Sequence, residues 1–286
     1  MHMNELKPTV LAGGWIFGES PRWRDGVLWF VDMHGHKVLT MDADGQVSTE
    51  AEFEDQTSGL GFLHDGSAVV VLKYTRQVMR IYPDHRIEVY ADFRSQGPKH
   101  LNDMVVDSHG RAYVDTNFYM PRENTPLSVT DRLSIIYPDG RILVVAEGML
   151  GPNGLAITGD GQTLVVAEIR DRKLSAFDID PVDGTLSNKQ PWASTGPDKR
   201  PDGICLDVEG GVWYACPDSH VVTRVMRGGE VTDVVSVGAR DAFACCLGGS
   251  DRKTLYIMTS EMDSNFIAQR SFVEAVRVEI PGDGIP

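Results

Sequence analysis

The sequence predicts an all-β protein, a six-bladed β-propeller of four-stranded antiparallel blades around a central tunnel. Three observations predict it. A glycine recurs at Gly26, Gly66, Gly110, Gly161 and Gly210, at intervals of 40 to 51 residues, near the period of propeller blades. A short apolar run follows each, such as Val27-Leu28-Trp29-Phe30-Val31, Ala68-Val69-Val70-Val71-Leu72 and Thr163-Leu164-Val165-Val166. No long segment has the 3.6-residue period of an amphipathic helix. A β-sandwich or an open β array is the competing reading, and the regular period and copy number favour the ring.

The elements follow in order. A first strand around Pro8 to Ala12 is expected to complete the last blade and close the ring. In the first copy the strand with Glu19 precedes the Asp25-Gly26 turn, and strands Leu28 to Met33 and Lys37 to Met41 follow. Asp44-Gly45, Asp65-Gly66, Asp139-Gly140, Asp160-Gly161 and Asp183-Gly184 punctuate the later copies. Asp-Gly between apolar runs is a hairpin signal because such turns need positive φ. The third copy is interrupted by Asn117 to Asp131, a long loop with two prolines, expected to form a lid or substrate wall over one face. The sixth copy is degenerate, Asp251 to Met258. One domain spanning residues 1–286 is expected, since a chain of this length buries a full core unaided.

Composition narrows the function classes. The net charge of −14 argues against nucleic acid, which needs a basic face. No segment reaches the roughly 18 apolar residues of a membrane span, and Met1 to Glu5 lack the pattern of a signal peptide. A cytoplasmic protein is expected. The four cysteines, Cys205, Cys216, Cys245 and Cys246, have no C-x-x-C spacing and read as reduced core thiols. Cys205 and Cys216 are the pair that could face each other across strands.

The chemistry lies at one phase of the repeat. Glu19, Ser58, Asn102, Asn153 and Asp202 each precede their glycine by seven or eight residues. Equivalent positions of a closed ring point to one place. Two acids and two amides there suit a hard cation in a central metal tunnel, because calcium takes six to eight oxygen ligands from carboxylates, amide carbonyls and water. Calcium is expected first; zinc, magnesium and manganese remain possible, although no Cys or His shares the phase. Pro152-Asn153-Gly154 and Pro201-Asp202-Gly203 are also ordinary turn sequences; the shared phase is what marks them. The sixth equivalent position falls near Phe243, an apolar wall.

Gly18-Glu19-Ser20-Pro21-Arg22-Trp23, Ser58-Gly59-Leu60-Gly61-Phe62, Leu101-Asn102-Asp103, Gly151-Pro152-Asn153-Gly154-Leu155-Ala156 and Arg200-Pro201-Asp202-Gly203-Ile204, in this order, make the chain resemble the SMP-30/gluconolactonase/luciferin-regenerating-enzyme, or regucalcin-like, family. The resemblance implies a six-bladed propeller with one divalent metal in the tunnel. It implies Glu19, Asn153 and Asp202 as metal ligands, and Asn102 as a fourth ligand or substrate contact with Asp103 behind it. It implies Asp202 as the acid/base residue of a lactone hydrolase.

The chain departs from the pattern. Sugar-lactone members commonly carry Arg two residues before the Asn; here Lys99 and His100 precede Leu101. Asn-Asp-Gly is replaced by Asn102-Asp103-Met104. The Gly-Thr-Met segment is replaced by Asp115-Thr116-Asn117-Phe118-Tyr119-Met120. His100, Asn117 and Tyr119 are therefore candidate substrate contacts beside Asn102 and Asp103. Phe118, Tyr119, Met120 and Phe243 point to a lactone less polar than a sugar lactone, or else simply pack the lid. Three further stretches carry residue types that suit chemistry. Met33-His34-Gly35-His36 reads as a hairpin turn with one His near the tunnel mouth. Lys73 or Tyr74, at the same phase of the second copy, is a candidate pocket residue. Asp218-Ser219-His220 reads as a turn, and no G-x-S-x-G exists to support a serine hydrolase.

The expected function is a metal-dependent hydrolase of a lactone or related ester, acting on a small molecule, as a monomer or dimer. The alternatives are phosphotriester hydrolysis, hydration or isomerisation in the same pocket, or a non-catalytic calcium-binding propeller.

Overall fold

The structure, a computed structural model, describes residues 5–97, 99–117 and 129–285, with backbone only at Glu5 and Asn117. Six sheets form six blades, each with four main antiparallel strands running from the inner one outward; the one parallel pairing among the described residues is that of Glu5–Leu6 with Val231–Ser236. Blade 1 is Gly18–Arg24, Val27–Asp32, Lys37–Met41 and Val47–Glu52. Blade 2 is Thr57–Phe62, Ala68–Leu72, Gln77–Ile81 and Ile87–Asp92. Blade 3 is His100–Val106, Ala112–Asn117, Asp131–Ile136 and Ile142–Met149, and blade 4 is Pro152–Ile157, Thr163–Glu168, Lys173–Ile179 and Leu186–Ser194. Blade 5 is Ile204–Asp207, Val212–Cys216, Val221–Val225 and Val231–Ser236, flanked by the two-residue strands Glu5–Leu6 and Gly282–Asp283.

Blade 6 closes the ring. Its strands Asp241–Gly248, Thr254–Met262 and Ala268–Arg277 come from the last part of the chain. Its outermost strand, Thr9–Trp15, comes from the start and pairs antiparallel with Ala268–Arg277. The strand expected around Pro8 to Ala12 thus does what the repeat requires: a closed ring leaves no blade without its fourth strand.

The apolar runs are continuous because each second strand is buried on both faces. Successive side chains of a strand point to opposite faces, so each run feeds two cores. Val212, Tyr214 and Cys216 pack against blade 4; Trp213 and Ala215 pack against blade 6. Among the described residues there are six hydrophobic clusters, one for every blade–blade interface. The core is therefore a ring of six seams around the axis.

The same alternation settles the cysteines. All four are free and buried. Cys205 faces blade 6, where its Sγ lies 3.8 Å from that of Cys245. Cys216 faces the opposite way, so Cys205 and Cys216 do not meet as the sequence allowed. The turn glycines adopt the expected conformation, with φ of 75° at Gly110 and 77° at Gly210. Helix is confined, among the described residues, to the single turns Arg94–Gln96 and Pro217–Ser219, and no helix is long and apolar enough to cross a membrane. Pro217–Ser219 places Asp218 and Ser219 in a turn, as read.

Candidate active site

One irregularity recurs in the inner strands and builds the site. The ladder to the second strand is interrupted between Glu19 and Arg22, Thr57 and Leu60, Leu101 and Met104, Pro152 and Leu155, and Ala242 and Ala244. In blade 5 the chain does the same just before its inner strand, where Asp202 N–H donates to Ala215 O and Ala215 N–H to Gly203 O. A bulge leaves residues unpaired and re-aims their side chains. Ser58, Asn102, Asn153, Asp202 and Phe243 all fall in or at these bulges, and Glu19 adjoins one. In blade 1 the irregularity includes Ser20 at φ 49°, a conformation that costs a non-glycine residue energy.

The bulges need close approach between inner strands. Gly154 lies against the backbone of blade 5, where a Cβ would come 2.4 Å from Asp202 O and 2.6 Å from Ile204 N. Backbone atoms cannot move aside as a side-chain tip can. Gly154→Ala is expected to destabilise the fold by about 1–3 kcal/mol, the usual cost of overpacking, as measured by denaturant titration. A variant as stable as the parent would show that this seam is loose.

The site's charges are buried together. Glu19, Asn102, Asp103 and Asp202 are all buried, while Asn153 is partly exposed. Burial holds the Glu19 carboxyl well above the ordinary carboxylate range, and repulsion from Asp202 and Asp103 adds to it. The Ser20 N–H, 2.8 Å from Glu19 Oε2, and the Lys73 ammonium oppose the shift. Asp103 is held from behind. Its Oδ1 accepts from Met104 N–H at 2.7 Å, Arg22 Nη2 at 3.3 Å and Ser20 Oγ at 3.4 Å. Arg22, itself buried, also donates to Leu60 O at 2.8 Å and Met104 O at 2.7 Å, tying the inner strands of three blades.

Two residues that the repeat did not bring forward as principal candidates belong to this cluster. Lys73, at the end of the second strand of blade 2, is buried, and its Nζ donates to Asn102 Oδ1 at 2.9 Å. Burial pushes the Lys73 ammonium below its ordinary pKa, opposed by the carboxylates of Asp115, Glu19, Asp202 and Asp55. Asp115 is fully buried. Its Oδ1 accepts from Asp103 N–H at 2.8 Å, and its Oδ2 has no hydrogen-bond partner among the described residues. Burial and the charge of Asp103 hold the Asp115 carboxyl well above its usual range. In the sequence Lys73 is only one of two pocket candidates and Asp115 only a departure from the family pattern, because neither occupies the repeat phase of Glu19.

The other candidates divide. His100 sits at the start of the inner strand of blade 3, edge-on to Tyr74 with ring centroids 4.7 Å apart. Burial and the nearby Lys73 and Arg76 lower its pKa. The side chain of Asn117, and Phe118, Tyr119 and Met120, lie outside the described residues. Among the described residues, aromatic side chains gather around Phe243. His34 stacks on Phe17 at 4.9 Å, Phe17 meets Phe243 edge-on at 4.6 Å, and Phe243 lies 6.1 Å from Phe266. His34 belongs to the hairpin turn read in Met33-His34-Gly35-His36. Phe243 adjoins the residue after Asp202, since its carbonyl accepts from Gly203 N–H at 2.8 Å.

No group of three or more His, Cys, Asp and Glu side chains able to hold a metal ion occurs among the described residues. The donors at the bulges are instead two carboxylates, Glu19 and Asp202, with the amides of Asn153 and Asn102. That set suits a hard oxygen-seeking cation, and the like charges of Glu19, Asp202 and Asp103 are what a cation would offset. Asn102 differs from the other donors, because its oxygen accepts the Lys73 hydrogen bond.

Comparison with known proteins bears on this arrangement. A family model described as SMP-30/Gluconolactonase/LRE-like region matches residues 17–261. The chain is 28% identical to regucalcin of Xenopus laevis over 90% of its own length and 88% of that protein. It is 26% identical to the 6-deoxy-6-sulfogluconolactonase of Pseudomonas putida over 99% of both chains. A solved structure of a calcium-binding protein, regucalcin, from Agrobacterium tumefaciens superposes with a TM-score of 0.82 at 17% identity, covering 99% of this chain and 98% of the other.

Proposed function

We propose that this chain, which belongs to the SMP-30/Gluconolactonase/LRE-like family, hydrolyses a lactone or related ester with the help of a divalent cation. The observation that carries the reading is the buried pair Glu19 and Asp202, set at the inner-strand bulges beside amide donors and next to an aromatic row. The names of relatives such as the Pseudomonas putida lactonase agree with it.

Glu19, Asp202 and Asn153 are the residues that would hold the cation, calcium first on the hardness of the donors. When bound, it would polarise the ester carbonyl and offset charge on the tetrahedral oxyanion. The protein's own groups do the rest. Asp202 takes the proton of the attacking water as the new C–O bond forms, and returns it to the ring oxygen as the old C–O bond breaks. Asn102 and His100 contact the substrate beside it. Asp103, fastened by Arg22 and Ser20, stands behind Asn102 and keeps the bulge of blade 3 in place. Phe17, Phe243 and Phe266 line one side with apolar surface, which favours a substrate less polar than a sugar lactone.

The test is acid release from a panel of γ- and δ-lactones, sugar and aryl-substituted, using chelator-treated protein before and after calcium is restored. Hydrolysis that returns with calcium and is fastest on aryl or alkyl lactones is the expected result. Turnover of none of the panel with any divalent ion would overturn the hydrolase reading. Preference for sugar lactones would overturn the role of the aromatic row alone.

A further inference from the structure

We propose that Lys73 is a catalytic residue of this site, an ammonium that donates hydrogen bonds to the substrate's carbonyl oxygen and to the oxyanion formed from it. The inference rests on the lactone-hydrolase reading and adds a residue to it.

Geometry carries the argument. A lysine ammonium has three N–H donors and no acceptor. Among the described residues that of Lys73 makes one hydrogen bond, to Asn102 Oδ1 at 2.9 Å, and no ion pair is found for it within 4.0 Å. Yet the residue is only 6% exposed. A buried ammonium retained for stability alone is normally spent on a carboxylate and on neighbouring acceptors. Among the described residues two of its three donors meet no acceptor, within the field of Glu19, Asp202 and Asp115.

Its place is also defined. Lys73 follows Ala68–Leu72, the second strand of blade 2, and its backbone is tied on both sides. Its N–H donates to Gln56 O at 2.9 Å, and its carbonyl accepts from Leu101 N–H at 3.3 Å. The strand end is thereby fixed to the inner strand of blade 3, one residue before Asn102. The amide of Asn102 holds the ammonium from one side, and Asp103, held by Arg22 and by Asp115, fixes the backbone of Asn102. The donor is preorganised, as a group meant to meet developing charge must be.

The step balances without change at Lys73. A water oxygen bonds to the lactone carbonyl carbon, and the carbonyl π electrons move to oxygen. The water proton passes to Asp202. On collapse the ring C–O bond breaks and the proton passes from Asp202 to the ring oxygen. Lys73 stays an ammonium throughout and stabilises the oxygen that gains and then loses negative charge.

The experiment compares the wild-type protein with Lys73→Met, Lys73→Arg and Lys73→Gln on the best lactone of the panel, with thermal melts of each. Lys73→Met is expected to lower kcat by about 10²–10³-fold, the usual loss of one oxyanion donor, with KM changed by less than about threefold, the sign of an interaction made in the transition state. Lys73→Arg, which keeps a charged donor, is expected to recover at least about tenfold of that loss. Should Lys73→Met not fold, Lys73→Gln takes its place, with the same direction of effect and a smaller loss. Folded Met or Gln variants with kcat within about threefold of wild type would overturn the role of Lys73 alone. A loss confined to KM, or one that Lys73→Arg does not relieve, would overturn it too. Wild-type protein that opens no lactone would overturn the hydrolase reading and this role together.

Discussion

Asp202→Asn is expected to lower kcat/KM for lactone hydrolysis by roughly 10²–10⁴-fold, the range lost with a general acid/base, while leaving the protein as stable as before or more so. The two expectations belong together. Asp202 is buried, and its charge is one of the reasons the Glu19 carboxyl is held above its ordinary range. Asparagine keeps the size of the side chain and the backbone link from residue 202 to Ala215 O at 2.9 Å, and it removes one of the crowded negative charges. Sites that hold like charges together trade stability for function. Steady-state kinetics and a thermal melt of the metal-free protein check both halves. An active variant would remove Asp202 from the chemistry. A markedly less stable one would make it a structural acid.

Arg224→Met is expected to cost about 3–5 kcal/mol, the usual loss when one partner of a buried ion pair is removed. Arg224 lies in the third strand of blade 5 and Asp207 at the end of the inner strand, both almost wholly buried. Their contact is bidentate, Nε to Oδ2 at 2.7 Å and Nη2 to Oδ1 at 3.0 Å. Asp207 also accepts from Gly211 N–H at 3.0 Å and Trp213 Nε1 at 3.1 Å, and Arg224 reaches Thr232 Oγ1 at 2.9 Å. One pair therefore joins all four main strands of the blade. Without the guanidinium the carboxylate is left buried without its counter-charge. The double change Arg224→Met with Asp207→Asn is expected to recover much of the loss, because replacing both partners removes the stranded charge. Urea titration of the three variants gives the coupling; a single variant within about 1 kcal/mol of wild type would place the pair among weak surface bridges.

The fold was legible because it repeats. Turn glycines, Asp-Gly pairs and double-faced apolar strands recur at a blade's period, and each needs only local chemistry to be recognised. The candidate site was legible in part for the same reason. Glu19, Asn102, Asn153 and Asp202 share a phase, and the inner-strand bulges give that phase its common geometry. The charges behind the site were not. Arg22 acts on residues 38 to 82 positions away, and Arg224 would ordinarily be read as a solvated side chain. Lys73 lies outside the phase of Glu19, and its place at the turn phase of the second copy marks it only as one of two pocket candidates with Tyr74.

The amino-acid order by itself therefore determined the number of blades, the strand that closes the ring, the family and the polar residues at one phase of it, because periodic signals survive without knowledge of contacts. Only the tertiary structure decided which charges meet. It brought Lys73 to Asn102, Arg22 to Asp103, Cys205 to Cys245 and Phe17 to Phe243. Each of these contacts joins segments far apart in the chain, the first three from different blades, and such a contact depends on ring closure and on the face to which a strand turns its side chains. Neither is written in any local stretch of sequence.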